Sequence, residues 1–505
     1  MSPAIEAALR SWSISPVTTI ALCLLAAVYL RGWWRLRSAG VPFVPPWRAT
    51  TFMFGLFLLW LALASPLDTF SGFLLTAHML QHMLLMMVAP PLILLGAPLI
   101  PLVRGLPGFF AREFAGPFLN WSVSKRVGHI LASPICGLLL MGVVMFAWHL
   151  PKLFELALSS SGWHETEHAC FFVSALIFWW PVVQPWPSQP RWPKWAMVPY
   201  LLLADLQNTA LSAILIFSDR VLYPTYAVMP RLFVPALEDQ AAAGAMMWVV
   251  GSLAFVLPAI AIAVQCLSAA TSKPNLVRPN MVLRRASRGG LADSLLSPFW
   301  RIPLLRRLPL ARLRGRAFQA TSFLVFFVVI GGSLATLASS DASDDDNQVL
   351  RFKGQSGPFA VAVFTQSEEL SPGPSHFGIL VQDRNTQDVQ LDATVDFTVA
   401  ADGDAKGPSS TVRAAHEDEN RLLQTAELNL PSEGDWKLHI AVKHNSGVAE
   451  FLLPLQVLGQ QTSSEHAHQW SYIALLVFAA ILLLVYAQRH RHSRSAHVEN
   501  PVSSP

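Results

Sequence analysis

Nine apolar stretches of membrane-spanning length limit what this chain can fold into. They run at about 16–33, 50–66, 73–98, 131–150, 168–186, 197–217, 242–268, 318–338 and 471–487. About 20 apolar residues in a helix cross the hydrocarbon core of a bilayer. The chain has 505 residues, of which 53% are hydrophobic and 13% charged, and its mean hydropathy is +0.42. That composition describes an integral membrane protein with a soluble part, not a soluble enzyme. The first stretch lacks a basic leader and an A-x-A-like cleavage site, so it reads as an uncleaved span.

The net charge of +4 hides a strong asymmetry. Residues 269–317 carry eleven Lys/Arg against one acid, Asp293, whereas 341–470 carry twenty acids against eight Lys/Arg. The positive-inside rule places the first segment in the cytoplasm, and the acidic one, a span later, outside. Counting back puts loops 34–49 (Arg35, Arg37, Arg48), 99–130 (Arg104, Arg112, Lys125, Arg126) and 187–196 (Arg191, Lys194) inside as well. The N-terminus is therefore expected outside and the C-terminal RHRHSR inside.

The expected fold is a membrane all-α bundle, a seven-span core plus two further spans, with an extracytoplasmic immunoglobulin-like β-sandwich. Its parts are the bundle 1–268, a basic cytoplasmic linker 269–317, span 8 at 318–338, the sandwich at 345–460, span 9 at 471–487 and a tail 488–505. The linker's SPFWRIPLLRRLPLARLRGR suits an anionic lipid surface. The sandwich is read from period-two alternation. Val389, Leu391, Ala393, Val395, Phe397 and Val399 share one face, as do Phe377, Ile379 and Val381, and Trp436, Leu438, Ile440 and Val442. Turn signals SPGPS, ADGDAKGPSS and PSEGDW separate these runs. None of the four cysteines (Cys23, Cys136, Cys170, Cys266) forms a C-x-x-C pair, which argues against thiol exchange and a Cys-pair copper site.

Five of the fifteen histidines fall at one membrane depth under this topology. His78 and His82, four apart, share one helical face within FLLTAHMLQHMLLMMVAPPLILLG. His149 closes the fourth span in FAWHLP, and His164 and His168 repeat the spacing of four where the fifth begins in SGWHETEHACFF. Ionisable residues in hydrocarbon are costly and usually functional. Neutral imidazole is a common ligand of copper, zinc and iron, and the thioethers of Met79 and Met83 favour Cu(I). The plainer alternatives are a hydrogen-bonded histidine pair, core-filling methionines and a solvated helix start at His164–His168 with Glu165 and Glu167 serving the helix dipole. Asp205 in the sixth span, Tyr223 in LYPTYAVMP and Asp239 at the start of the seventh are further polar candidates, though Asp239 also suits a cap of its own helix.

The runs TAHMLQHMLLMMVAPPLILLGAP, WHLP, HETEHACFFVSALIFWWP, LYPTY and EDQAAAGAMMW resemble the CtaG-like assembly factors of cytochrome c oxidase, over about residues 15–268. The resemblance implies a multi-span protein needed to build active haem-copper oxidase, through copper delivery or metal-site maturation. His78, His82, His149, His164, His168 and Asp239 match its recurrent polar positions. An unrelated single-span copper chaperone with a cysteine site shares the name, and this chain lacks that motif. The outer domain resembles YtkA-like or FixH-like periplasmic sandwiches, most clearly in GDWKLHIAV.

The expectation is an assembly factor, not an enzyme, in the bacterial inner membrane. It would hold copper at the outer face and pass it to a cytochrome c oxidase subunit, with a periplasmic copper chaperone as a further partner and no nucleic acid. A copper transporter and a haem-binding redox protein are the alternatives. The first needs a polar path that the inner helix halves lack, and the second is limited to one haem by a single histidine level. No P-loop, no G-x-S-x-G and no H-E-x-x-H is read in the chain, so no nucleotide, esterase or zinc-hydrolase chemistry is expected.

Overall fold

The computed structural model describes residues 3–111, 121–188, 192–232, 234–271, 349–366, 369–401, 410–416 and 420–458. The expected linker from residue 272 on, the stretches 318–338 and 471–487, and the tail lie outside the described residues.

The long helices fall on the apolar stretches. The helices that build the bundle around the site are α1 (Pro3–Leu9), α2 (Pro16–Ser38), α3 (Pro46–Ala64), α4 (Pro66–Ser71), α5 (Leu75–Met83), α6 (Ala89–Leu95), α7 (Leu99–Gly105), α8 (Pro134–Trp148), α9 (Pro151–Ser159), α10 (Ser161–Val183), α11 (Met197–Phe217), α12 (Pro224–Val228) and α13 (Ala236–Thr271). Among the described residues, six helical segments are long and apolar enough to cross a membrane: α2, α3, Leu75–Leu95, α10, α11 and α13. The bent pair α8–α9 makes a seventh if its halves count as one crossing. Outward side chains such as Leu24, Leu139, Val143, Leu206 and Leu257 are apolar and exposed, as a lipid-facing surface requires.

Proline sets many of the boundaries. Pro16, Pro46, Pro66, Pro134, Pro151 and Pro224 each open a helix, where a missing N–H costs nothing and the preset φ fits. Inside Leu75–Leu95 the pair Pro90–Pro91 has the opposite effect. Neither can donate to the carbonyl four residues back, Met86 or Met87. The chain answers with a π-helical turn at Leu84–Val88, in which Ala89 N–H bonds Leu84 five residues back. The Met86 carbonyl instead accepts the indole N–H of Trp179 from α10, at 2.9 Å. Leu150 precedes Pro151 and is pushed out of the helical region, to φ −66° and ψ 130°. So α8 stops at Trp148 and α9 leaves at 72° to it.

Two glycines let α2 and α7 touch at backbone distance. A Cβ on Gly32 would lie 1.8 Å from the Pro101 carbonyl oxygen, and one on Gly105 would lie 1.8 Å from that of Val28. Both obstacles are backbone, so neither can turn aside. Gly105→Ala is expected to pry α7 off α2 and to lower stability by about 1–3 kcal/mol, the usual cost of overpacking. Thermal unfolding in detergent measures it, and an unchanged midpoint would show that the two helices do not meet this closely.

The C-terminal region is two antiparallel sheets. One has strand order β1-β2-β3-β7-β6 and the other β5-β4-β8-β9. The strands are β1 (Val349–Ser356), β2 (Phe359–Thr365), β3 (Gly373–Asp383), β4 (Thr394–Ala401), β5 (Ser410–Arg413), β6 (Ala415–His416), β7 (Gln424–Leu430), β8 (Gly434–His444) and β9 (Gly447–Val457). Phe377, Ile379, Val395, Phe397, Leu438, Ile440, Phe451 and Leu453 close the core between them, consistent with the expected sandwich. β2 departs from alternation, because every residue in it is buried. Phe359, Val361 and Val363 face the sandwich core, while Ala362 and Phe364, with Leu380 of β3, Leu422 and Leu423, pack on Phe70, Phe73, Ala77 and Leu232 of the bundle. Phe73 and Phe364 meet edge to face at 5.6 Å, the Gln382 amide donates to the Arg231 carbonyl at 2.6 Å, and the Arg421 N–H donates to Ser11 Oγ at 3.0 Å. The sandwich thus sits on the end of the bundle where α5 begins.

Candidate metal centre

α5 is held from its first turn. The Asp239 carboxylate, from the start of α13, accepts the N–H groups of Leu75 at 2.6 Å and Thr76 at 3.3 Å, and the Thr76 hydroxyl at 2.5 Å. A carboxylate there satisfies orphan donors and meets the positive end of the helix dipole. Asp239 was open to reading as a cap of its own helix, and its carboxylate instead caps α5. From the next turn of α5 the Gln81 amide, fully buried, donates to the Ala62 carbonyl at 2.9 Å and to Asp68 at 2.6 Å.

With α5 fixed, His78 and His82 face α10. The four rings of His78, His82, His168 and His164 form a closed circuit, with successive centroid distances of 4.3, 5.5, 4.1 and 5.3 Å. Glu167, fully buried, joins them: its carboxylate oxygens stand 3.7 Å from His78 Nε2 and 3.9 Å from His82 Nε2. One ligand atom from each of these three residues lies within 4.8 Å of the others. Those gaps are too long for hydrogen bonds. They are near the roughly 3.4 Å that separates two donors sharing one tetrahedral ion at about 2.1 Å. His149 borders the group across Phe171, on which both its ring and that of His82 pack. Its Nδ1 donates to the Met145 carbonyl at 2.7 Å, which leaves Nε2 free for other use.

Both ring nitrogens of His78 and of His82, Nε2 of His149, His164 and His168, and both oxygens of Glu167 are buried with no hydrogen-bond partner among the described residues. Each such group costs about 1–3 kcal/mol when left unpaired. Spread over one pocket, that cost makes little sense for a structural histidine pair, whose nitrogens would be bonded. It fits residues kept for a ligand that brings positive charge and takes lone pairs.

Aromatic rings wall the pocket. Phe154 of α9 packs on His78 at 5.0 Å, and Phe171 packs on His82 at 4.6 Å and on His149 at 6.1 Å. Tyr223 stacks on Phe154 at 3.9 Å and donates its hydroxyl at 3.1 Å to the His149 carbonyl, which the helix break has freed. Tyr226 donates to the Ser71 carbonyl. Burial, with nearby Glu167 adding, holds both phenols well above their ordinary pKa, so they remain donors. Glu155 fixes the loop from the other side, accepting the Thr225 hydroxyl at 2.5 Å and its N–H at 3.2 Å.

The structure therefore brings together the five histidines expected from sequence, with Tyr223 in contact through His149 and Asp239 as the anchor of α5. Met79 and Met83 follow the α5 histidines by one residue, about 100° round the helix, and lie buried in the main apolar core. Asp205 stands half-buried on α11, outside the cluster, with Oδ1 unpartnered among the described residues. The residue missed was Glu167. As a first-turn acid it reads as a solvated partner of the helix dipole, yet its place three residues after His164 puts it on the same face. Phe154, Gln81 and Glu155 were also passed over. The expectation that the chain has no H-E-x-x-H is corrected as well: residues 164–168, HETEH, spell that motif of zinc peptidase helices. In that motif the acid after the first histidine is the base. Here that acid is Glu165, half-buried, while the carboxylate meeting the α5 histidines is Glu167.

Residues 27–269 match the family described as cytochrome c oxidase caa3 assembly factor. The chain is 24% identical over 264 residues to an uncharacterized protein ML1998 of Mycobacterium leprae, covering 50% of this chain and 39% of that protein. It is 27% identical over 193 residues to an uncharacterized protein Mb0105 of Mycobacterium bovis, covering 38% and 29%. It thus spans well under half the length of the curated relatives it matches. The PKD domain of human SorCS2 aligns with 23% of this chain and 86% of that domain, at 16% identity and a TM-score of 0.15.

Proposed function

Because residues 27–269 belong to the cytochrome c oxidase caa3 assembly factor family, we propose that this chain helps build such an oxidase by holding copper at the histidine cluster and passing it to an oxidase subunit. The observation that carries the reading is the pocket of five histidines and Glu167 with its ring nitrogens and carboxylate oxygens unpartnered. His78, His82 and Glu167 are the inner ligands, with His164 and His168 in ring contact beside them and His149 next to the group. Copper here is cargo. A ligand set larger than one ion needs lets donors be exchanged one at a time, which suits transfer better than permanent storage. Phe154 and Phe171 exclude water from the rings meanwhile.

The chain is multi-pass, and the proposed setting is the bacterial inner membrane with the histidine end outward, as the loop charges favour. The sandwich rests on that end, where an oxidase subunit or a periplasmic copper chaperone would approach. Membership of an assembly-factor family suggests a non-catalytic role. The test is the metal content of the full-length protein purified in detergent after anaerobic loading with copper. A single ion per chain is expected, and a protein that takes up none would leave the cluster as a docking or structural element.

One observation favours a second reading. The H-E-x-x-H of 164–168 would make this a zinc hydrolase with Glu165 as base. Glu165→Gln separates the two: in the copper reading it leaves oxidase assembly and metal content intact, and in the hydrolase reading it removes function while metal stays bound.

A further inference from the structure

The chemistry of the donors goes further than the presence of a cluster. This step rests on the reading of the pocket as a metal site. The carboxylate that faces the α5 histidines is Glu167, fully buried, its two oxygens 3.7 and 3.9 Å from the His78 and His82 Nε2 atoms. Among the described residues its ion-pair partners are these two histidines alone, and no Lys or Arg joins them. The rest of the inner set is imidazole nitrogen.

A carboxylate is a hard donor and suits divalent ions, imidazole suits borderline ones, and Cu(I) prefers thioether and thiolate. The thioethers of Met79 and Met83 sit about 100° round the helix from His78 and His82, within the apolar core. A buried carboxyl without a partner takes up either a proton or a cation. A divalent ion displaces the proton and keeps net charge with which to hold further imidazoles.

We infer that the pocket takes a first-row divalent cation, Cu(II) in preference to Zn(II), with Glu167 as its anionic ligand beside His78 and His82. It is not a thioether site for Cu(I). The preference of copper over zinc follows the general order of divalent affinities for nitrogen and oxygen donors. No change of oxidation state is part of the binding step: the ion exchanges its water ligands for the three side chains, and the carboxyl enters as its anion with its proton released to solvent.

The experiment compares wild-type full-length protein with Glu167→Gln and Glu167→Asp, each stripped of metal in detergent. Cu(II), Zn(II) and, anaerobically, Cu(I) are titrated against competing chelators, and the Cu(II) form is examined by electron paramagnetic resonance. The wild type is expected to show a Cu(II) spectrum with mixed nitrogen and oxygen ligation. Glu167→Gln should weaken Cu(II) binding by at least about 100-fold and shift that spectrum, while Cu(I) binding changes little. Glu167→Asp should recover part of the loss. The wild-type spectrum alone carries the test if a variant fails to fold. Cu(II) bound equally well, with an unchanged spectrum, by Glu167→Gln overturns the inference. So does a wild type that takes Cu(I) and refuses Cu(II), and that result leaves the copper-carrier reading standing. A wild type that binds none of the three ions overturns both.

Discussion

A chain with His78 and His82 both replaced by alanine is expected to accumulate in the membrane at normal levels and to support no oxidase activity. In the proposed copper site the two rings supply two of the three closest candidate ligand atoms. Losing first ligands costs more than the 10- to 100-fold that the loss of a supporting residue costs at metal sites, so binding should fall by well over about 100-fold. Stability should move the other way, or hardly at all. Four unpartnered ring nitrogens leave the interior with those side chains. At about 1–3 kcal/mol each, that relief is of the same size as the cavity cost of about 2–5 kcal/mol at each of the two truncated sites. Oxidase activity of membranes, copper per chain and the thermal midpoint should therefore separate. Normal oxidase activity in the double variant would remove the cluster from the function altogether.

The second large effect is expected from a residue that reaches no ion. Asp239→Ala removes the acceptor of three donors at the start of α5. Two backbone N–H groups would be left buried at a helix end, for a loss of about 2–4 kcal/mol. The first turn of α5 should then fray and carry His78 with it, so copper affinity is expected to fall though every proposed ligand is present. Asp239→Asn keeps one side-chain oxygen and should retain part of both properties. The comparison tests positioning: if Asp239→Ala lowers copper affinity but leaves the thermal midpoint unchanged, the residue acts on the ion by some route other than holding α5.

Much of this was legible in the sequence, and the gaps have physical causes. Hydropathy alone placed the helices, because a lipid-facing segment has one requirement that any window can sum. The spacing of four in His78–His82 and His164–His168 gave the shared faces, and WHLP marked the break at His149. Glu167 escaped because an acid in a first helical turn has a sufficient local explanation, and only the packing of α10 on α5 shows that it points inward. The H-E-x-x-H was overlooked in the same five residues. The face that β2 turns to the bundle escaped for a related reason. Period-two alternation reports a strand buried on one side, and Phe359–Phe364 is apolar throughout because both sides are covered. Asp239 was singled out, but its anchoring of α5 joins positions 164 apart in the chain, beyond any local pattern.

That doubly covered strand also bears on how the protein can be taken apart. Excised from the chain, the sandwich would present Phe364, Leu380, Leu422 and Leu423 to water as one continuous patch beside an edge formed by β1. Such surfaces promote self-association. A soluble fragment would thus be prone to precipitate although its own core is complete, and polar replacements at Phe364 and Leu380 should cure it. The same replacements in the whole chain would loosen the sandwich from its seat without unfolding it, giving a protein whose two halves are sound but no longer joined.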